Sequence, residues 1–527
     1  MKSIGAKGRL TPVKKEPPAA IRGLRLALAG KDFERAEFHS REFWRGYMQM
    51  LARSRINRLH LAFEAEPKFD SLRMIADVAL DFAVDLTVGM WPHQSGARAA
   101  LEQLFAECGG IRAVYLSAAN EASFAAMRQA GRLVFLEVPA EADLAEEATR
   151  QGILNRTLVR FRAAEHYAPP RSHPKPFVWA LEAASKWPDP DFIRRLARAL
   201  PSSGAHGFEV EQTGFEQGYQ TAFFAAAWGR LGYDPSAPDS AWRSVLDAPF
   251  GAAAADVGAA LEAAGHAERV FQRASSPDRF LAGPRENVSN RLNGIASAKQ
   301  TTLETLWQLQ ECVLRMERAL RVVPALEEQL RGPLQLTQFR MRRLWASELA
   351  ELGEATRHDT ALQAAQVHLR VALRLAEKVA PLEMEPIRED LGRIEKRIEE
   401  NPPPQPPLRW PVAVSRPVIQ HKPPSTVTAG KPLPLGLYLA HRPDLTTVRL
   451  HYKHSGAGSG FRTIVATPRQ ARFLIPGADL AAAGHLHYYF EVLHREGGWF
   501  DPDPNAGFPF YTVELRPRSA IDPVKTQ

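Results

Sequence analysis

From residue 21 to residue 212, short apolar runs alternate with amphipathic stretches. Between most of the runs, apolar residues recur at helical spacing, as Phe43, Tyr47 and Leu51 do. Strands that alternate with helices form right-handed βαβ units and a parallel sheet. The pattern predicts eight strands, at residues 21–29, 58–64, 85–91, 112–118, 132–138, 157–162, 177–182 and 207–211.

Eight such units in so short a stretch predict a compact (β/α)₈ TIM-like barrel over residues 21–235. An open, doubly wound sheet is the alternative fold. No G-x-G-x-x-G motif follows the first strand, which counts against a dinucleotide site in such a sheet.

The pattern becomes helical after the barrel, and it predicts an all-α helical domain over residues 236–399. A stiff, proline-rich linker at 400–425 follows. Alternating runs separated by turn residues predict an immunoglobulin-like β-sandwich at 426–517. Residues 1–20 are expected to be a disordered N-terminal segment, and residues 518–527 a tail.

Composition narrows the class of protein. Hydrophobic residues make up 45% and charged residues 24%, as is usual for a globular protein, and no apolar run approaches the roughly 20 residues that span a bilayer. The net charge is +8, but basic residues are mixed with acidic ones, so we expect no nucleic-acid partner. The basic start lacks the apolar segment of a secretion signal. The expected compartment is therefore cytoplasmic by default, or extracellular if a preceding segment is missing.

Metal and cofactor chemistry is not expected. Cys108 and Cys312 lie in different predicted domains, so neither a disulfide framework nor a cysteine metal site is predicted. His485 and His487 alternate on one predicted strand without carboxylate or cysteine companions, which favours surface or cross-strand packing over metal binding. No phosphate-cradling loop occurs, and we predict neither a metal nor a cofactor.

Three stretches resemble the barrel and C-terminal helices of α-glucuronidase-type glycoside hydrolases, the relatives of families 67 and 115. They are Ile-Arg-Gly-Leu at 21–24, Leu-Ala-Arg-Ser-Arg-Ile-Asn-Arg-Leu at 51–59, and Trp-Gly-Arg-Leu-Gly-Tyr-Asp-Pro at 228–235. The helix before the second stretch, with Arg-Glu-Phe-Trp at 41–44, and Gly-Phe-Glu-Val at 207–210 are also similar. The resemblance is distant and covers roughly residues 20–380.

This resemblance implies a sugar-hydrolysing barrel, with two departures. Those hydrolases usually carry a small α/β domain ahead of the barrel, whereas here the first predicted strand begins near residue 21. The polar loops after strands five to seven are also shorter. Loss of such loops is what a descendant without catalysis would show.

Barrel enzymes place their chemistry at the C-terminal ends of strands, and glycoside hydrolysis needs two carboxyl groups. Asn120-Glu121 ends the fourth predicted strand and resembles the acid/base motif of a large hydrolase clan, in which the Asn holds a neighbouring sugar hydroxyl. Glu182 ends the seventh strand, where that clan keeps its nucleophile. Glu121 has an alternative interpretation, because a carboxylate at a helix N-terminus also favours the helix dipole.

Two further carboxylates are catalytic candidates. Glu165-His166 follows the sixth strand and resembles a pair in the same region of these hydrolases, where either residue would bind a hydroxyl or tune a water. Glu209 on the eighth strand is expected to point inward. There it would contact substrate or pair with a cation such as Arg160 or Arg162, because a buried carboxylate requires a partner.

The predicted rim also offers groups that bind sugars. Trp91 and His93 close the third strand, and Trp187 follows the seventh; an aromatic face stacks on a sugar ring, and a capping role at the rim is the alternative. Arg160, Arg162 and Lys186 are placed to bind a uronate carboxylate.

The leading hypothesis from the sequence is a glycoside hydrolase-like protein that acts on plant-type oligosaccharides, including uronate-bearing ones, through paired carboxylates. The competing hypothesis is a barrel that has lost catalysis and binds carbohydrate or serves a structural role. A third alternative is a scaffold that binds partner proteins through an exposed apolar stripe of the helical domain.

Overall fold

The computed structural model describes residues 2–4, 10–12, 17–28, 30–63, 69–90, 103, 106–111, 113–117, 133–139, 157–161, 177–181, 186–203, 205–212, 218–274, 300–356, 359–400, 417–440, 444–454, 461–482, 484–494, 497–502 and 510–516. Two short strands, Lys2–Ile4 and Leu10–Pro12, pair antiparallel in the segment that was expected to be disordered. The sequence pattern gave no signal there because each strand has only three residues.

Eight parallel strands form a sheet that closes on itself. Hydrogen bonds join them in the order β8-β1-β2-β3-β4-β5-β6-β7, and β7 pairs with β8. We call this ring the closed sheet. Its strands are β1 Ile21–Leu28, β2 Arg58–Phe63, β3 Asp85–Met90, β4 Ala113–Ser117, β5 Leu133–Pro139, β6 Thr157–Phe161, β7 Phe177–Leu181 and β8 Ala205–Gln212.

Helices cover the outside of the closed sheet wherever the structure describes them. Trp228 on α4 packs against Phe208 of β8, with ring centroids 5.2 Å apart, and against Phe192 of α3 at 5.8 Å. The even-numbered residues of β8 therefore face the helices, and the odd-numbered ones face the interior. The helices are α1 Arg41–Arg53, α2 Phe69–Asp81, α3 Pro190–Ser203 and α4 Tyr219–Tyr233.

In the described ranges from residue 254 to residue 400, five long helices follow. Leu306, Leu309, Val313 and Met316 form a fully or nearly buried seam on α6, as their spacing predicts. Helix α7 continues through Pro333, although proline lacks the N–H that a helix interior uses. The hydroxyl group of Thr337 donates to the backbone oxygen of Pro333. The helices are α5 Ala254–Ala274, α6 Gln300–Val322, α7 Glu327–Thr356, α8 Asp359–Val379 and α9 Met384–Glu399.

The C-terminal strands are mainly antiparallel and form several sheets. Leu433 and Phe473 of one sheet share a core with Val448 and Phe490 of the largest sheet. The strands are β9 Ile419–Gln420, β10 Thr426–Thr428, β11 Leu433–Gly436, β12 Tyr438–Leu439, β13 Leu445–His454, β14 Arg462–Ala466, β15 Arg472–Ile475, β16 Gly484–His494, β17 Gly497–Asp501 and β18 Tyr511–Arg516.

The chain divides into two compact units: Met1–Arg269 with Arg318–Ala325, and Val270–Glu317 with Leu326–Gln527. The predicted mixed α/β organisation, with a parallel sheet, helices and C-terminal antiparallel strands, is confirmed. Within the described ranges, none of the helices combines the length and hydropathy that a membrane span requires.

The prediction for His485 and His487 needs correction. Both rings contact the carboxylate of Glu311 on α6, which lies far earlier in the sequence, at 3.3 Å and 2.7 Å. Burial alone would raise the pKa of Glu311, but the hydrogen bonds with the two histidines outweigh it and lower the pKa to about 2. The pair therefore does have a carboxylate companion. Among the described residues, no group of three or more His, Cys, Asp or Glu side chains is arranged so that it could hold a metal ion.

Candidate functional site

Glu209 lies in the interior of the closed sheet and is completely buried. Arg58 donates from Nη1 to its Oε1 at 3.2 Å, and Nδ1 of His60 lies 2.7 Å from its Oε2. Arg58 and His60 alternate on β2, so both point inward on the same side of the strand. We call Glu209, Arg58 and His60 the interior triad.

Two glycines make room for the interior triad. A Cβ atom at Gly23 of β1 would lie 2.6 Å from Cγ of Glu209, and a Cβ atom at Gly89 of β3 would lie 2.7 Å from Nε2 of His60. Real Cβ atoms do not approach other heavy atoms so closely. The triad therefore fills the space that side chains at positions 23 and 89 would occupy.

The chemistry open to Glu209 follows from these contacts. Each of its two oxygens already accepts a hydrogen bond, one of them from a permanently charged guanidinium. A general acid must present a proton to the glycosidic oxygen, and a nucleophile must present a free oxygen to the sugar carbon. The geometry suits a carboxylate that fixes the orientation of Arg58 and His60.

The neighbouring rim residues Lys186 and Trp187 follow β7. Trp187 is buried, with 3% of its surface exposed, whereas Lys186 is exposed with its Nζ 5.3 Å from the indole ring. A Cβ atom at Gly265 of α5 would lie 2.6 Å from the backbone oxygen of Trp187, so this helix packs directly against the segment. Lys186 is accessible to a ligand, and the ring of Trp187 packs inside the protein.

Asp189 anchors the same segment. Its Oδ1 accepts the backbone N–H of Phe192 at 3.1 Å and caps α3, while Oδ2 contacts His266 and Arg269 at 3.3 and 3.2 Å. Burial would raise the pKa of Asp189, but the hydrogen bond and charge of His266 and the charge of Arg269 outweigh it and lower the pKa to about 2. This carboxylate therefore stabilises the fold.

The remaining candidates lie partly or wholly outside the described part of the chain. The backbone of Arg160 lies on β6 with no description of its side chain. The others fall outside the described residues: Glu121, Glu182, Glu165, Asn120, Trp91, His93, Arg162 and His166.

The sequence did not single out Arg58 and His60. A local signal was present, because strands of a parallel sheet are usually apolar throughout, and Arg58-Leu59-His60-Leu61 alternates instead. Such alternation indicates that the inward face of the strand is polar. Arg160 and Arg162 were the expected partners of Glu209, but the partners that the structure describes come from β2, two strands away across β1.

No protein-family model matches this sequence, and no curated protein sequence matches it. Solved structures do show a similar fold. The structure of a GH138 enzyme targeting pectin rhamnogalacturonan II superposes with a TM-score of 0.53 and 11% identity, over 74% of this chain and 85% of that one. At this identity the likeness concerns the fold alone.

Two smaller proteins also match. One is a truncated 3-deoxy-D-arabino-heptulosonate 7-phosphate synthase from Thermotoga maritima, with a TM-score of 0.26 and 13% identity over 40% of this chain and 86% of that one. The other is a dihydrodipicolinate synthase family protein from Coccidioides immitis, with a TM-score of 0.28 and 14% identity over 48% of this chain and 88% of that one. At these TM-scores neither supports an argument. The chain is a mixed α/β protein whose fold is similar to that of the GH138 enzyme.

Proposed function

We propose that this chain is a carbohydrate-active protein of the glycoside hydrolase type that acts on uronate-bearing plant polysaccharides. The observation that carries the proposal is the fold likeness to a pectin-targeting hydrolase, which extends over 74% of the chain and therefore well beyond the closed sheet. The sequence resemblance to α-glucuronidase-type hydrolases supports the same class of protein. It is also the reason for proposing that the substrate carries a uronate.

The proposal includes a finer description of the architecture. We assign the closed sheet to the TIM-like (β/α)₈ class, which the parallel ladder of eight strands supports. We assign the C-terminal sheets to an immunoglobulin-like sandwich, which their shared core supports.

The proposed reaction is acid/base hydrolysis between Glu121 and Glu182, which follow β4 and β7. One carboxyl group protonates the leaving oxygen and the other acts as base or nucleophile. A carboxyl separation of about 5 Å would imply retention, and a separation of about 6.5–9.5 Å inversion. Glu209 has a positioning role in this proposal, because the hydrogen bonds with Arg58 and His60 occupy both of its oxygens. Glu165 remains an alternative partner.

The interior triad also favours a second candidate function: a barrel that binds carbohydrate without hydrolysing it. One of the four candidate carboxylates is committed to a cation and a histidine, as a structural pairing would require. The two functions differ in turnover and share sugar binding.

The test is a screen of the purified protein against aryl-glycosides and against aldouronic and pectic oligosaccharides. We expect product release that Glu121→Gln and Glu182→Gln each reduce by about 100- to 10,000-fold, the usual contribution of a general acid or base. Glu399→Gln, at an exposed helix end, is the control and should match the parent. If calorimetry detects binding but no variant releases product, the result supports the second function. If the protein shows no binding and releases no product, both functions are excluded.

A further inference from the structure

The three sequence stretches that carry the hydrolase resemblance meet at the N-terminal end of the closed sheet. Residues 21–24 open β1, residues 51–59 connect α1 to β2, and residues 228–235 end α4. They are in close contact, since a Cβ atom at Gly229 would lie 2.0 Å from the backbone oxygen of Ser54. This end is opposite the carboxyl ends of the strands, which Glu121 and Glu182 follow in the sequence.

Two arginines, Arg22 and Arg55, lie over the ring of Tyr233 at this point, and Arg230 is close enough to Arg55 to be affected by its charge. We call Arg22, Arg55 and Arg230 the arginine cluster. The guanidinium carbons of Arg55 and Arg22 lie 4.1 and 5.5 Å from the ring centroid of Tyr233. Nε of Arg22 donates to the backbone oxygen of Arg55 at 2.7 Å, and Nη2 of Arg230 donates to that of Arg53 at 2.8 Å. Arg22 is buried, and Arg55, Arg230 and Tyr233 are half-buried.

The arginine cluster has no acidic counterion among the described residues. Arg22 and Arg230 donate to backbone oxygens, and the contact that the structure records for the Arg55 guanidinium is the Tyr233 ring. Burial and the charge of Arg55 lower the pKa of Arg22 to about 10, and the same two causes lower the pKa of Arg230. Three positive charges therefore repel one another in a partly desolvated place.

Tyr233 contributes a further unused donor. Its hydroxyl group is buried and has no hydrogen-bond partner in the described part of the chain. Buried hydroxyl groups usually have a partner, so this one is suited to a ligand atom. A hydroxyl donor together with guanidinium N–H groups is a set that matches an oxyanion.

The backbone conformation of Arg55 is also unusual for an arginine. Arg55 has φ of 66° in the position just past α1, with its N–H bonded to the oxygen of Ala52 and the next N–H to that of Leu51. Glycine is the usual residue in this left-handed position, because a side chain there is unfavourable. An arginine in this unfavourable position is explained if its guanidinium group binds a ligand.

We infer that the arginine cluster is a binding site for an oxyanion, either the carboxylate of an acidic sugar or a phosphate group. Arg55 would supply the fork of N–H donors, Tyr233 the hydroxyl donor, and Arg22 and Arg230 the surrounding positive charge. The site is separate from the proposed catalytic one and does not depend on turnover.

The experiment titrates the full chain with inorganic phosphate and, separately, with trigalacturonate, by calorimetry and by the shift in Tm. Fully methyl-esterified trigalacturonate is the uncharged control ligand. The key variant is Arg55→Gly, which removes the guanidinium while placing glycine where the backbone favours it, so that misfolding does not explain a loss of binding.

Two control variants match it. Ala83→Gly makes the same backbone change at the end of α2, where Ala83 has φ of 53° and equivalent hydrogen bonds to Leu80 and Ala79. Arg198→Ala removes one exposed positive charge from α3. Both should bind as the parent does.

We expect the parent to bind at least one of the two anions, with affinity that falls as salt is added. Arg55→Gly should weaken binding by about tenfold or more, as loss of charge-assisted hydrogen bonds does. The tighter of the two anions identifies the natural group. Absence of binding to both, or binding that Arg55→Gly leaves unchanged, overturns the inference. Glu121→Gln should bind normally, which separates this site from the catalytic proposal.

Discussion

Replacing Glu209 by glutamine is the sharpest test of the interior triad. Glutamine has the same shape, but it carries no charge and offers one acceptor oxygen and one NH₂ group. The NH₂ group would then face one of the two groups that now contact Glu209, at Arg58 or at His60. His60 can exchange tautomers and accept instead, whereas Arg58 cannot, because a guanidinium only donates. The Arg58 charge, which is 9% exposed at its side chain, loses its carboxylate partner.

The expected loss is large for a single atom change. Removing one partner of a buried ion pair usually costs about 3–5 kcal/mol, against about 5–15 kcal/mol of stability for a typical domain. The full value is expected here because Glu209 is completely buried. Hydrogen exchange followed by mass spectrometry on peptides from β1, β2 and β8 measures this loss locally, which suits a chain of two compact units.

A second variant shows whether the charge is responsible. Arg58→Met combined with Glu209→Gln removes both charges at similar volume, and we expect it to recover most of the loss, because no uncompensated buried charge remains. Glu399→Gln gives the background of an exposed site. If Glu209→Gln lowers the opening free energy by no more than Glu399→Gln does, the triad does not hold the closed sheet together.

Three further predictions follow from the packing. Gly23→Ala should destabilise β1 by about 1–3 kcal/mol, the usual cost of overpacking. Gly436→Ala should be nearly neutral, because the space around Gly436 is open. Urea unfolding compares the two variants. Asp189→Ala should cost about 3 kcal/mol or more in the same assay, because it removes the cap of α3 and leaves buried Arg269 without its carboxylate. The pKa of Glu311 is lowered from 4.5 to about 2, which adds about 3 kcal/mol to the free energy of unfolding of the second unit. This contribution is complete above pH 4.5 and is lost as the pH falls toward 2. Glu311→Gln should abolish this part of the pH dependence of unfolding.

The sequence predicted the elements well where the pattern is long and regular. The second strand was expected at 58–64 and is found at Arg58–Phe63. Helices were expected as far as residue 399, and the last long helix is Met384–Glu399. The strand Gly497–Asp501 does not follow the alternating pattern, and the strand Ile419–Gln420 falls within residues 400–425, which were predicted to be a linker. The first is rich in glycine and the second has two residues, so neither shows a repeat of alternating positions.

The partners of buried polar groups were harder to predict. Glu209 was expected to face inward, but Arg58 becomes its neighbour only because the closed sheet brings β8 and β2 to opposite sides of β1. Glu311 reaches His487 because α6 packs on β16, although the two residues are far apart in the sequence. Contacts of this kind depend on tertiary packing, which local periodicity does not encode.

The most direct test of the proposed function is the mass-spectrometric detection of sugars released from a uronate-bearing pectic oligosaccharide. We expect a shortened oligosaccharide and released sugars with the parent protein and with Glu399→Gln. We expect little or no release with Glu121→Gln or Glu182→Gln. Intact oligosaccharide after prolonged incubation with the parent, together with no measurable binding, would contradict it.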